Sequence, residues 1–193
     1  MTAPPPSLPR RAPTRADLLA AAGQRIADVV APDLKVLFCG INPSLYSAYT
    51  GHHFARPGNR FWPTLHDAGF TPRRLAPAEQ RELLRWGYGV TNLVQRATAA
   101  ASELSEDELV AGRRRLVALV RRHRPRVLAV LGVAAFRIAF AREDAALGLQ
   151  PDTLGAARVW VLPNPSGLNA HYQRADLARL FGELRRYVDR NAT

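Results

Sequence analysis

At 193 residues, 47% of them hydrophobic, the chain is long enough for one sizeable core and short for two, so a single domain is expected. Its 27 basic against 16 acidic side chains give a formal charge of +11, which points first to a polyanion such as nucleic acid, with an arginine-rich surface habit as the bland alternative because Lys35 is the only lysine. The lone cysteine, Cys39, excludes an intrachain disulfide, a four-cysteine zinc site and an iron-sulfur cluster held by the chain's own thiolates, and no apolar run approaches the roughly 18 residues of a membrane span.

In chain order, residues 1–14 carry five prolines with Arg10 and Arg11 but no apolar stretch, and read as a disordered basic arm rather than a leader. The stretch 15–30 repeats apolar residues at helical spacing behind Thr14 as cap and predicts a first helix. A short apolar strand at 36–39 runs into Gly40, followed by a polar segment, 42–59, too irregular for a core element. Helices are predicted at 61–69 and 77–86, and a short strand at 90–94. A helix capped by Ser105 with an acidic first turn follows, running to about His123. The continuous apolar run 127–132 has the pattern of a strand buried on both faces. A helix over 133–141, a strand at 159–162 and an amphipathic helix at 174–190 complete the chain. Strands alternate with helices, which predicts a three-layer α/β/α sandwich around a mainly parallel sheet of about four strands.

Two asparagine-proline turns stand out: Asn42-Pro43 after the first strand and Asn164-Pro165 after the last. In an open parallel sheet, segments past the carboxyl ends of strands face the ligand crevice, so both turns are expected in one site. Each proline keeps the preceding asparagine out of helical dihedrals and fixes how its amide leaves the backbone. Around them lie Ser44, Ser47, His52, His53, Phe54, Ser166 and Asn169. The loop after the first strand holds no carboxylate, so a serine-histidine-carboxylate triad is not supported. Adjacent histidines without a nearby carboxylate or cysteine make a poor metal site, and neither G-x-G-x-x-G nor G-x-x-x-x-G-K is present. No metal and no cofactor are expected. Neutral amides, hydroxyls and aromatic faces beside a basic surface suit a flat heterocycle: a ring stacks on the base, amides pair with its edge, arginines hold phosphates. Taken singly, Phe54 and Leu168 read as core residues, Ser47 and Asn92 as turn or cap residues, and His52, His53 and His171 as surface or rim groups.

Residues 36–62 (VLFCGINPSLYSAYTGHHFARPGNRFW), 89–94 (GVTNLV) and 161–168 (VLPNPSGL) together resemble the mismatch-specific uracil/thymine-DNA glycosylases of the uracil-DNA glycosylase superfamily. The similarity runs from Lys35 to the final helix and omits the arm. It implies that fold, and hydrolysis of the N-glycosidic bond of uracil or a related damaged pyrimidine opposite guanine in duplex DNA, initiating base excision repair. By position, Asn42 matches the catalytic asparagine that orients water. Phe54 matches the ring that stacks on the flipped base, Asn92 a base contact, and Ser47 the neighbour of pyrimidine C5, with Ile41, Ser44 and Asn164 also at the base. Gly167, Leu168 and Asn169 match the loop that enters the duplex, with Leu168 the wedge and its neighbours meeting the opposite base. Ser166, Arg56, Arg60 and His171 are expected at phosphates. Two positions depart from the family pattern: Ser44 stands where glycine is usual, and Gln95 where an acid is common. The lack of an amine nucleophile at the site implies a simple hydrolase rather than a lyase. The expectation is a cytoplasmic, monomeric, monofunctional glycosylase; the competing classes are a non-catalytic protein that binds mispaired or abasic DNA and a nucleoside hydrolase on a similar sheet.

Overall fold

The computed structural model describes residues 12–191; the predicted basic arm lies outside them up to residue 11. Five strands form one sheet: β1 (Val36–Gly40), β2 (Tyr88–Asn92), β3 (Val127–Leu131), β4 (Gly148–Leu154) and β5 (Ala157–Leu162), in the order β2-β1-β3-β5-β4. All neighbours are parallel except β4, which pairs antiparallel with β5. The expectation of about four strands missed β4. Its burial is mostly exposed, and Pro151 and Asp152 interrupt any apolar pattern; an edge strand tolerates both because half of its backbone groups need no ladder partner.

Alternation along the central strands divides the core. Val36 and Phe38 face one side, where helix α3 (Phe61–Asp67) and helix α6 (Arg174–Arg190) supply Phe61, Leu65, Leu177, Phe181 and Leu184. Leu37 and Cys39 face the other, covered by α4 (Glu106–His123) and α5 (Val133–Phe140) through Leu116, Val120 and Phe136. The layers are therefore helix, sheet, helix. Phe38 centres the first core, its ring 5.3 Å from Phe70, 5.6 Å from Phe61 and 6.1 Å from Phe181.

Three predicted elements differ. Helix α1 spans only Arg15–Ala20: Gly23 takes φ 76° and donates its N–H to Ala97, after which the chain is extended and Val29 bridges Val90 antiparallel. The helical spacing of Ile26 and Val29 is satisfied by packing, since both are buried. The "irregular" segment 42–59 contains helix α2 (Leu45–Thr50), capped by Ser44. The segment Pro77–Trp86 is 3₁₀ rather than α, and stops at Gly87.

Register places the functional turns. Gly40 sits opposite Asn92, so the exit of β1 and the end of β2 lie side by side, while Leu131 and Leu162 bring β3 and β5 to the same level. Chain order reverses on either side of β1, which opens a crevice at the carboxyl ends of the strands.

Candidate active site

That crevice is a cleft of about 340 Å³ lined by Ile41, Asn42, Ser44, Ser47, His53, Phe54, Arg56, Asn92, Thr98, Asn164, Ser166, Leu168 and Asn169, among others. Both asparagine-proline turns reach it. Among the described residues no carboxylate lines it.

Asn42 is held by its amide nitrogen, which donates to the Arg96 carbonyl at 2.9 Å and to the Thr98 hydroxyl at 2.7 Å. Thr98 in turn donates to the Ala100 carbonyl, so its oxygen is left to accept. Both amide hydrogens of Asn42 are thereby used, and the group it offers the cleft is the carbonyl oxygen, a pure acceptor. Neither anchor is legible as such in the sequence: Arg96 stands out there only as a basic residue near the site yet acts through its backbone, and Thr98 lies in a Ser/Thr/Ala stretch with no periodicity. The Arg96 side chain points elsewhere, bonding Glu108.

Asn92 is buried at the end of β2, its amide nitrogen 3.2 Å from His53 Nδ1. His53 Nε2 lies 3.1 Å from the Ala27 carbonyl, which can only accept; Nε2 therefore carries the hydrogen and Nδ1 accepts from Asn92. His53 is 1% exposed, which corrects its reading as a surface or rim group, and burial holds its pKa below the usual imidazole range, so the ring is neutral. With one amide hydrogen on His53, Asn92 retains one N–H and its oxygen. The Asn92 backbone is pinned from behind by Arg115, which donates to its carbonyl at 3.0 Å while pairing with Asp28. Gln95 also meets Arg115, at 2.8 and 3.2 Å with its amide oxygen turned inward.

Phe54 adopts φ 53°, a left-handed conformation that costs a non-glycine residue of order 1 kcal/mol. The turn swings its ring onto Phe61, centroids 4.0 Å apart, and beside Gly40, where it lines the cleft. A Cβ on Gly40 would stand 2.5 Å from Asn92 Oδ1 and 3.0 Å from the Phe54 ring, so this glycine lets both groups close over the strand end. Ile41 closes the neighbouring exit by packing on Gly132. Ser44 accepts from the Ser47 N–H as the α2 cap and bonds the Ser47 hydroxyl at 3.0 Å; Ser47 also accepts from Ala55 N–H. Ser44 has φ −70°, ψ 161°, dihedrals that require no glycine, so the departure there leaves the backbone undistorted.

At the mouth, Asn164 accepts the Ser166 N–H on Oδ1, leaving its NH₂ to face the cleft. Leu168 is 71% exposed, which excludes the ordinary core reading. Gly167 packs on Gly58, where a Cβ would meet the carbonyl oxygen at 2.5 Å. Two side chains expected at DNA are engaged within the protein. Arg60 is turned onto the carbonyls of Ser166, Asn169 and Tyr172 instead of outward to phosphate. The Asn169 amide folds back to the Asn164 carbonyl and the His171 N–H instead of projecting toward a base. Arg56 and His171 are exposed, Arg56 at the rim.

The layered sheet, the amide-rich cleft at its carboxyl ends with Arg56 at its rim, and the exposed leucine at the mouth define an α/β protein with a polar crevice at the strand ends. The sequence profile of the Uracil DNA glycosylase superfamily matches residues 27–187, and the chain belongs to that superfamily, whose members act on DNA. In fold it is similar to a Methanosarcina acetivorans protein solved by NMR and provisionally named a uracil DNA glycosylase, with TM-score 0.53, 18% identity, 84% of this chain and 98% of that chain covered.

Proposed function

We propose that the protein is a monofunctional DNA glycosylase of the mismatch-specific uracil/thymine branch, hydrolysing the N-glycosidic bond of uracil opposite guanine. The observation that carries this reading is the Asn42 amide: with its nitrogen tied to Arg96 and Thr98, its oxygen is fixed as an acceptor for water beside the base pocket.

In the proposed reaction the extruded base stacks on Phe54. Asn92 offers one N–H and one oxygen, which complement the O4 acceptor and N3–H donor of uracil. The C1′–N1 bond breaks with its electron pair leaving on the base, and the water held by Asn42 adds its oxygen to C1′ while its proton passes to solvent or to the departing base. Asn42 is no strong base, and among the described residues no carboxylate lines the cleft to act as one. Catalysis therefore rests on positioning and on donors facing the developing anion, a role proposed for the Asn164 NH₂. Good leaving groups should react fastest. Extrusion costs a few kcal/mol, less from a mismatch, and a leucine that refills the stack offsets part of it.

The test is base release from G:U, A:U, G:T and single-stranded uracil oligonucleotides, without added metal or nucleotide. The expected result is an abasic product with G:U strongest among the duplexes, lowered about 10²-fold or more in Asn42→Ala. Unchanged cleavage in that variant would overturn its role. Tight mispair binding with no release under enzyme excess would replace the proposal with the binding-only class.

A further inference from the structure

We infer that Arg60 is a positioning residue for duplex substrates: it holds the Leu168 loop in its projecting shape, so that excision from duplex DNA depends on it and excision from single strands does not. This rests on the reading of Leu168 as the wedge.

An exposed leucine gains nothing from standing in water, and a loop that holds it out gives up conformational freedom to do so. Something must fix the loop before DNA arrives. Arg60 stands just before α3, where its side chain makes no cap bond to the helix. Its backbone N–H donates to the Pro165 carbonyl at 2.9 Å. Its guanidinium donates to the carbonyl of Tyr172 through Nη1, and to those of Ser166 and, at 2.9 Å, Asn169 through Nη2. Carbonyls on both sides of Leu168 thus converge on one residue more than a hundred positions away in the chain. A planar fork with five donors and no acceptor suits a ring of carbonyls; an ammonium offers three donors from a single point. Local bonds complete the shape: Leu168 N–H to Ser166 Oγ at 3.2 Å, Asn169 N–H to the Ser166 carbonyl at 3.0 Å, and the Asn169 amide to Asn164. Gly167 lies against Gly58, in the turn that precedes Arg60, so loop and turn form one body.

Refilling a stack is needed only where there is a stack. Single-turnover base release by Arg60→Met and Arg60→Lys on G:U duplex and on single-stranded uracil therefore separates the roles. Arg60→Met is expected to slow the duplex reaction about tenfold while changing the single-strand rate by less than about twofold, and Arg60→Lys to recover part of the loss. In a Leu168→Ala background, Arg60→Met should slow the duplex reaction no further, because it acts through that leucine. Equal loss on both substrates, or additive losses in the double variant, would overturn the inference and leave the glycosylase reading standing. Failure of the unmodified protein to release uracil from either substrate would overturn that reading instead.

Discussion

The two asparagine-proline turns look alike in sequence and are opposites in structure. At the first, the amide nitrogen of Asn42 is tied down and its oxygen faces the cleft. At the second, the oxygen of Asn164 closes its own turn on the Ser166 N–H and the nitrogen is left over. One side chain type supplies an acceptor at one end of the pocket and a donor at the other, because what an amide offers is decided by which half its surroundings have already used. An attacking water needs an acceptor and a departing anion needs a donor, so the difference matches the two halves of a glycosidic hydrolysis.

The same isosteric change at both turns should therefore give unequal results. Asn164→Asp keeps the oxygen that accepts from Ser166, but replaces the NH₂ with a second oxygen and puts negative charge beside the leaving base. The expected loss in single-turnover rate is about 10²- to 10³-fold, the usual cost of removing one preorganised donor. Asn42→Asp keeps the oxygen toward the cleft but loses donation to both the Arg96 carbonyl and the Thr98 hydroxyl, for an expected loss of about tenfold. If the two variants lose equally, or Asn42→Asp loses more, the donor-acceptor division is wrong.

Much of this was legible in the sequence where the physical signal is local. β1 and β3 are apolar on both faces, and X-Pro geometry marked both turns at the carboxyl ends of strands. Ser105 with its acidic first turn announced α4, and α6 has the bounds its amphipathic spacing predicts. What was illegible depends on distance. His53 reads as one of two loop histidines until folding sets it between Ala27 and Asn92, 26 and 39 residues away. Arg60 reads as a phosphate contact because charge is all the sequence shows; the carbonyls that claim it lie more than a hundred residues on. The stretch after Gly23 carried a helical pattern, but a pattern reports burial, and the bridge to Val90 buries the same residues in an extended chain.

Asn92 sharpens the comparison, since its orientation rests on a titratable partner. His53 accepts from Asn92 only while neutral, and its folded pKa lies below the 6.5 of an unperturbed imidazole because burial penalises the charged ring. Between that lower value and 6.5, the unfolded chain binds a proton that the folded one does not. The stability contribution is therefore fully present above pH 6.5 and is lost as pH falls through the folded pKa. Protonation would also set a ring N–H against the Asn92 amide hydrogens. The expected outcome is a fall in thermal midpoint and in uracil release on the acid side of 6.5, with the acid-side loss of release weaker in His53→Asn, whose amide oxygen takes the place of Nδ1 and can accept without titrating. An identical pH profile in that variant would detach His53 from the base contact.

The smallest effect concerns the first turn's departure from its relatives. Ser44 caps the six-residue helix α2 and bonds Ser47 inside it, and so short a helix depends on its packing, here Ala48 against Ala21 and Ala97. Glycine at an N-cap is nearly as good as serine, so Ser44→Gly is expected to lower stability by a few tenths of a kcal/mol, a shift of about 1–2 °C in thermal midpoint. A shift several times larger would mean that the Ser44–Ser47 hydroxyl pair, and not the cap alone, holds the loop from Asn42 to Phe54 in place. The first turn would then depend on a serine pair where the second depends on Arg60.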